Sequence, residues 1–201
     1  MATCQNCGRE SPEDFAFCPA CGQPLTAPAP GREVRKIVTI VFCDVTGSTA
    51  LGERLDPESL RDVQARYFEA MRTAIERHGG TVEKYAGDAV MAVFGIPQLH
   101  EDDSLRAARA AADMREELAV LNKELERDRG VTIQVRIGMN TGEVVAGVSA
   151  IDPAIVTGDA VNVAARLEQY ASPGEILLGE PTFRLVREAV EVEPVGPLEF
   201  K

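Results

Sequence analysis

Long apolar runs, an excess of basic charge, a secretory start and internal repeats are all missing from this chain of 201 residues. Without an apolar stretch of about 20 residues there is no span for a bilayer. The start Met1-Ala2-Thr3-Cys4-Gln5-Asn6 has neither the basic nor the apolar region of a signal peptide, so the expected location is the cytoplasm. Lys and Arg number 21 against 32 Asp and Glu, a net charge of -11 that argues against general nucleic-acid binding, because phosphate backbones are held by clustered cations. A nucleotide can still be held by a few placed basic residues and metal ions. Histidine is scarce too: His78 and His100 fall at expected helix boundaries, and nothing marks either as a catalytic base.

What is present is the composition of an ordinary globular protein, 45% hydrophobic and 26% charged, over a length that buries one substantial core with a small appendage. Four of the five cysteines lie in the first 21 residues, as Cys4-x-x-Cys7-Gly8 and Cys18-x-x-Cys21-Gly22. A doubled C-x-x-C supplies four thiolates for tetrahedral zinc, and a glycine after each pair eases the tight knuckle turn. Two disulfides are the competing arrangement, and the missing secretory signal weighs against them. The expectation is a zinc ribbon over 1–23 holding one structural Zn2+. Its Arg9 stands against Glu10, Glu13 and Asp14, so protein contact or a purely structural role suits it better than nucleic acid. The stretch Pro24-Leu25-Thr26-Ala27-Pro28-Ala29-Pro30-Gly31 reads as an extended linker over 24–33, followed by a second domain over 34–201.

In that domain Asp56-Pro57-Glu58 is a helix start, with Asp as N-cap, Pro at the first helical position and an acid beside the positive end of the dipole. Leu60, Val63, Tyr67, Met71 and Ile75 recur at helical spacing up to the stop at Gly79-Gly80. A second long helix is expected from about Asp102, with Ala107, Ala111, Met114, Leu118, Leu121 and Leu125 on a stripe suited to packing on a sheet. Strands are expected at 132–139 and 143–148, and a further helix from Asp159. The run Ile37-Val38-Thr39-Ile40-Val41-Phe42-Cys43 is apolar on both faces, so its sheet should be covered on both sides, with helices on one and a partner subunit over part of the other. Cys43 reads as a small buried apolar residue.

Two carboxylates stand out. Asp44 closes the apolar run and opens Asp44-Val45-Thr46-Gly47-Ser48-Thr49, while Asp88 sits in a Gly87-Asp88 turn between strand-like runs at 81–85 and 89–94. Taken singly, each is an ordinary N-cap or turn former. Together they are oxygen ligands that suit magnesium or manganese better than zinc, and they turn attention to phosphoryl chemistry.

The set Phe42-Cys43-Asp44-Val45-x-Gly47-Ser48-Thr49, Lys84-x-x-Gly87-Asp88, Arg136-x-Gly138 and Gly158-Asp159-x-Val161-Asn162-Val163-Ala164-Ala165-Arg166, in this order and spacing, resembles the class III nucleotidyl cyclase catalytic domain from about Arg35 onward. The resemblance implies an α+β fold, a ferredoxin-like palm with a mixed sheet and helices, that forms a head-to-tail homodimer with each active site at the subunit interface. It implies that Asp44 and Asp88, with the carbonyl of Val45, hold two Mg2+ or Mn2+ ions per site. Arg136 and the segment Gly47, Ser48 and Thr49 would contact the triphosphate of ATP. Ser48 or Thr49 can also cap the following helix, and the two roles are compatible. The other subunit would contribute Lys84 to the base, Asn162 to the ribose and Arg166 to the phosphorus in the transition state. Asn162 and Arg166 are four apart and so share a helix face, beside an apolar face of Val163, Leu167 and Tyr170. Arg136 is expected at the end of a strand, and Lys84 on an edge strand. The implied reaction is in-line attack of the ribose 3'-hydroxyl on the α-phosphate, giving 3',5'-cyclic AMP and pyrophosphate.

Two departures qualify the match. Adenylyl cyclases of the family usually carry Asp or Thr three residues before Gly158, where it meets the adenine amino group, and this chain has Ile155, which cannot hydrogen-bond. Thr157 lies nearby. Family domains also continue into a further strand with a triphosphate-binding lysine, so an end at Lys201 implies a piece of a longer protein. These features keep open a cyclase of relaxed or GTP preference, and a weak or inactive nucleotide-binding scaffold. A diguanylate cyclase is disfavoured, because Tyr85-Ala86-Gly87-Asp88-Ala89 lacks the second acid and the aromatic of that family's turn.

Overall fold

The apolar run that opens the second domain becomes the centre of a sheet, flanked by strands on both sides. The computed structural model describes residues 2–3, 9–11, 18–20, 34–147, 155–196 and 198. Near the N-terminus, β1 (Ala2–Thr3) and β2 (Glu10–Ser11) pair antiparallel. Cys18 is buried, while Cys4, Cys7, Cys21 and the expected linker lie outside the described residues. The chain divides into two compact units, Met1–Val34 with Ala146–Ile155, and Arg35–Val145 with Val156–Lys201. The second unit carries Asp44, Lys84, Asp88, Arg136, Asn162 and Arg166.

Its main elements are β3 (Val34–Thr46), α1 (Ser48–Arg54), α2 (Pro57–Arg77), β4 (Thr81–Ala86), β5 (Ala89–Phe94) and α3 (Asp103–Arg129). They are followed by β6 (Gln134–Gly147), β7 (Ile155–Thr157), α4 (Asp159–Tyr170), β8 (Ile176–Leu178) and α5 (Glu180–Val186). The strand order is β4-β5-β3-β6-β7, with β8 also beside β6. β5 pairs antiparallel with both β3 and β4, and β8 runs parallel to β6, so the sheet is mixed.

The period of two along β3 sorts its side chains between two cores. Val41, Cys43 and Val45 face α2 and α3, joining Val63, Tyr67, Met71, Met114 and Leu118. Val38 and Ile40 point the other way, toward Met91, Val93 and the α4 residues Ala160 and Ala164. Both faces are thus covered as the run requires, and α4 supplies part of the second cover. Four hydroxyls bind the layers internally: Thr39 is 2.9 Å from both Ser104 and Thr141, and Thr141 is 2.9 Å from Thr182.

The start of α2 forms as its sequence implies. Asp56 accepts a hydrogen bond from the Ser59 backbone N–H at 2.9 Å, Pro57 takes the first turn, and the helix ends at His78 before Gly79. The α3 stripe is buried against the sheet through Ala107, Ala111, Met114, Leu118, Leu121 and Leu125.

Three local expectations are corrected. The segments 132–139 and 143–148 are not two strands, because β6 runs unbroken over Gln134–Gly147. Gly142, which falls between the two expected strands, makes room for α4: a Cβ there would lie 2.8 Å from the Ala160 Cβ. Arg136 stands near the beginning of β6, not at the end of a strand. Of the expected apolar face of α4, Val163 and Leu167 pack with Ala171 and Leu177, but Tyr170 is 48% exposed. Among the described residues, no helix is long and apolar enough to cross a membrane.

Candidate active site

The register of three strands brings Asp44 and Asp88 together. Cys43 pairs with Val90, and Ala86 with Ala89 across a hairpin loop of Gly87 and Asp88, so the loop sits at the level of Asp44. Gly87 has φ 66°, a left-handed value that glycine adopts without strain and that the tight hairpin needs. Asp44 continues the alternation of β3 on the side of Val38 and Ile40, the side that α4 covers.

The Asp44 carboxyl is pushed above its ordinary range by burial, and the nearby Asp88 carboxylate pushes it further. Arg136 opposes that shift, donating from Nη2 to Asp44 Oδ2 at 2.9 Å. Two carboxylates in such reach repel each other, and a divalent cation between them relieves the repulsion. The donor set therefore fits Mg2+ or Mn2+. Among the described residues no three His, Cys, Asp or Glu side chains converge as a ready-made cage. Magnesium commonly uses one or two carboxylates and leaves the other positions to substrate phosphates and water.

Arg136 has a second anionic partner that the sequence reading missed. Its Nε lies 2.5 Å from Glu168 Oε1, and its Nη1 donates to the Gln169 carbonyl at 3.4 Å. Glu168 is on the buried side of α4, with its side chain 8% exposed against 17% for Asp44. Burial raises the Glu168 carboxyl to about 6 despite the opposing charge of Arg136. The signal was present: Ala160, Ala164 and Glu168 recur at a spacing of four on one helix face, where a carboxylate is out of place unless it has a partner.

The glycine of Arg136-x-Gly138 now has a physical role. Residues 136 and 138 share a face of β6, and a Cβ on Gly138 would fall 2.1 Å from the Glu168 backbone nitrogen. The missing side chain lets α4 lie close enough for Glu168 to reach Arg136.

The other candidate residues fall elsewhere. Asn162 and Arg166 are exposed on α4, on the opposite side of that helix from Ala160, Ala164 and Glu168. Lys84 is exposed on the edge strand β4, where the pairing passes from Val82–Ala92 to Lys84–Met91 and leaves Glu83 as the extra residue of a bulge. Such a bulge turns the side chains that follow it. Lys84 Nζ lies 3.5 Å from Glu83 Oε2. Gly47, with φ 74°, is the N-cap of α1, and no side-chain oxygen from Ser48 or Thr49 caps it. Ile155 opens β7. Cys43 is buried, with its thiol pushed up to about 12 by desolvation, which makes it inert as a nucleophile.

A small cavity of about 20 Å3 lies beside Asp88, bounded by Val45, Ser48, Gln64 and Tyr67 on the side of β3 that α2 covers. A groove of about 410 Å3 runs along the outer edge of β4, between Arg72 and Glu76 of α2 and the segment from Thr81 to Tyr85.

Comparison with known proteins places this geometry. The adenylate and guanylate cyclase catalytic domain matches residues 32–201, and a zinc-ribbon domain matches residues 3–25. An adenylate cyclase from Anabaena cylindrica is 37% identical over 146 residues, covering 69% of this chain and 28% of that protein. The crystal structure of the adenylyl cyclase CyaB from P. aeruginosa superposes with a TM-score of 0.75 at 33% identity, covering 80% of this chain and 85% of that one. The guanylyl cyclase Cya2 superposes with a TM-score of 0.78 at 32% identity, covering 86% and 90%. The chain spans about a quarter to a third of the curated relatives it matches. With its α+β palm and its N-terminal zinc-ribbon domain, the chain belongs to the family of adenylate and guanylate cyclase catalytic domains.

Proposed function

We propose that the protein converts ATP to 3',5'-cyclic AMP and pyrophosphate for intracellular signalling, at active sites shared by two copies arranged head to tail. The observation that carries this reading is the convergence of Asp44 and Asp88 with Arg136 alongside. The cyclase domain would cover 34–201, joined by a linker over 24–33 to a ribbon over 1–23 whose Cys4, Cys7, Cys18 and Cys21 hold one Zn2+.

Asp44, Asp88 and the Val45 carbonyl would hold two Mg2+ or Mn2+ ions, which supply acidity to the ribose 3'-hydroxyl and neutralise phosphate charge when bound. Arg136 donates to the triphosphate, and the backbone of Gly47, Ser48 and Thr49 lines its path. Asn162 and Arg166 of a second copy approach from the other side, where the asparagine orients the ribose and the arginine meets the charge that develops on the phosphorus. Their exposure supports this division, since they are then open to a second copy. Lys84 suits adenine, because its ammonium donates to the N1 acceptor that guanine replaces with a donor.

A second reading rests on Ile155. An aliphatic side chain cannot accept from the adenine amino group, which favours GTP or mixed use, or binding without turnover. Incubation with ATP or GTP plus Mn2+, with products resolved by chromatography, separates these outcomes. Cyclic AMP is expected from ATP, with a loss of about 100-fold or more on Asp44→Ala. A predominance of cyclic GMP transfers the reading to GTP, and nucleotide retention without product supports the scaffold.

A further inference from the structure

Arg136 is shared between two carboxylates of unequal burial. Asp44, at 2.9 Å, is the more exposed, and Glu168, at 2.5 Å, is nearly closed to water. The Glu168 contact is the less screened of the two because water is excluded from it, although Arg136 Nε and Glu168 Oε1 meet there without hydrogen-bond geometry. Glu168 also sits on α4, which is held against β6 at Gly138 and Gly142, whereas Asp44 has a cation to bind under the proposed function.

Resting on that function, we propose that Glu168 is a positioning residue: it anchors the Arg136 guanidinium away from full engagement with Asp44, leaving Asp44 open to a divalent cation and Arg136 facing the phosphates. When a cation takes Asp44, Arg136 loses one partner and keeps the other. The freed Nη2 donor is then available to a phosphate oxygen. Without Glu168, Arg136 collapses wholly onto Asp44 and competes with the cation. The apparent cation affinity then falls by the fraction of molecules in which Asp44 is left available.

The test is Mn2+ binding without nucleotide, followed by water-proton relaxation, in the full chain and in Glu168→Gln, Arg136→Gln and the double variant. Glu168→Gln is expected to weaken Mn2+ binding about fivefold in the native background and less than about twofold once Arg136 is Gln. Glu168→Asp, which keeps the charge, is expected to recover most of the affinity and covers the case in which Glu168→Gln folds poorly. An equal effect of Glu168→Gln in both backgrounds means simple loss of a nearby negative charge and overturns the positioning role. No effect in the native background overturns it as well. Asp44→Asn serves as the control for the underlying reading. If it leaves Mn2+ binding intact, the metal assignment fails and takes the role of Glu168 with it. If it abolishes binding while Glu168→Gln does nothing, only the role of Glu168 is lost.

Discussion

The Cβ that Gly138 lacks would lie 2.1 Å from the backbone nitrogen of Glu168. No rotamer can relieve that overlap, because the atoms it would meet, Glu168 N and the Ala164 carbonyl oxygen, are main chain. Gly138→Ala is therefore expected to push α4 off the sheet and to cost about 3 kcal/mol of stability, the upper range for overpacking. Urea denaturation checks this. A loss below about 0.5 kcal/mol would mean that the helix has slack at this contact.

Glu168 gives a stability signature in pH. Its carboxyl is raised from 4.5 to about 6, chiefly by burial, so the folded state holds this proton more tightly than the unfolded chain. Its contribution is fully present below about pH 4.5 and is lost as the pH rises through about 6, by at most about 2 kcal/mol. Denaturation at pH 4.5 and 6.5 should show the native chain losing stability relative to Glu168→Gln across that interval. A difference that stays constant with pH contradicts the shift.

Shared sites predict complementation. Asp44→Ala and Arg166→Ala chains are each expected to be nearly inactive alone. Mixed in equal amounts, about half of the dimers carry one intact site of two, so about a quarter of native activity returns. A mixture no more active than its components excludes sites built from both chains.

Base choice should respond to Ile155. Replacing it by Asp supplies an acceptor for the adenine amino group, and the preference for ATP over GTP in kcat/KM is expected to rise about tenfold. An unchanged ratio means that β7 does not read the base.

Much of the fold was legible in the sequence because its signals are local. The Asp56-Pro57 start of α2, the Gly87-Asp88 hairpin and the two-faced apolar β3 each follow from residues a few positions apart. The continuity of β6 was not legible, since the role of Gly142 within the strand depends on α4 packing over it. Asp44 and Asp88 were singled out, and strand register brings them together. Glu168 was passed over because its importance is relational. It lies two residues after Arg166 in sequence, yet it points to the opposite side of α4, toward an arginine 32 positions away on another element. The bulge at Glu83 that redirects Lys84 is likewise a property of strand pairing and leaves no mark in composition.

Whether Asp44 and Asp88 hold cations is answered most directly by anomalous diffraction from crystals soaked with Mn2+ and an ATP analogue that lacks the ribose 3'-hydroxyl and so cannot cyclise. The cyclase reading predicts anomalous peaks about 2.1 Å from oxygens of both carboxylates, with Arg136 turned to the phosphates and still paired to Glu168. Carboxylates swung apart with no peak between them, while nucleotide is bound, would contradict it.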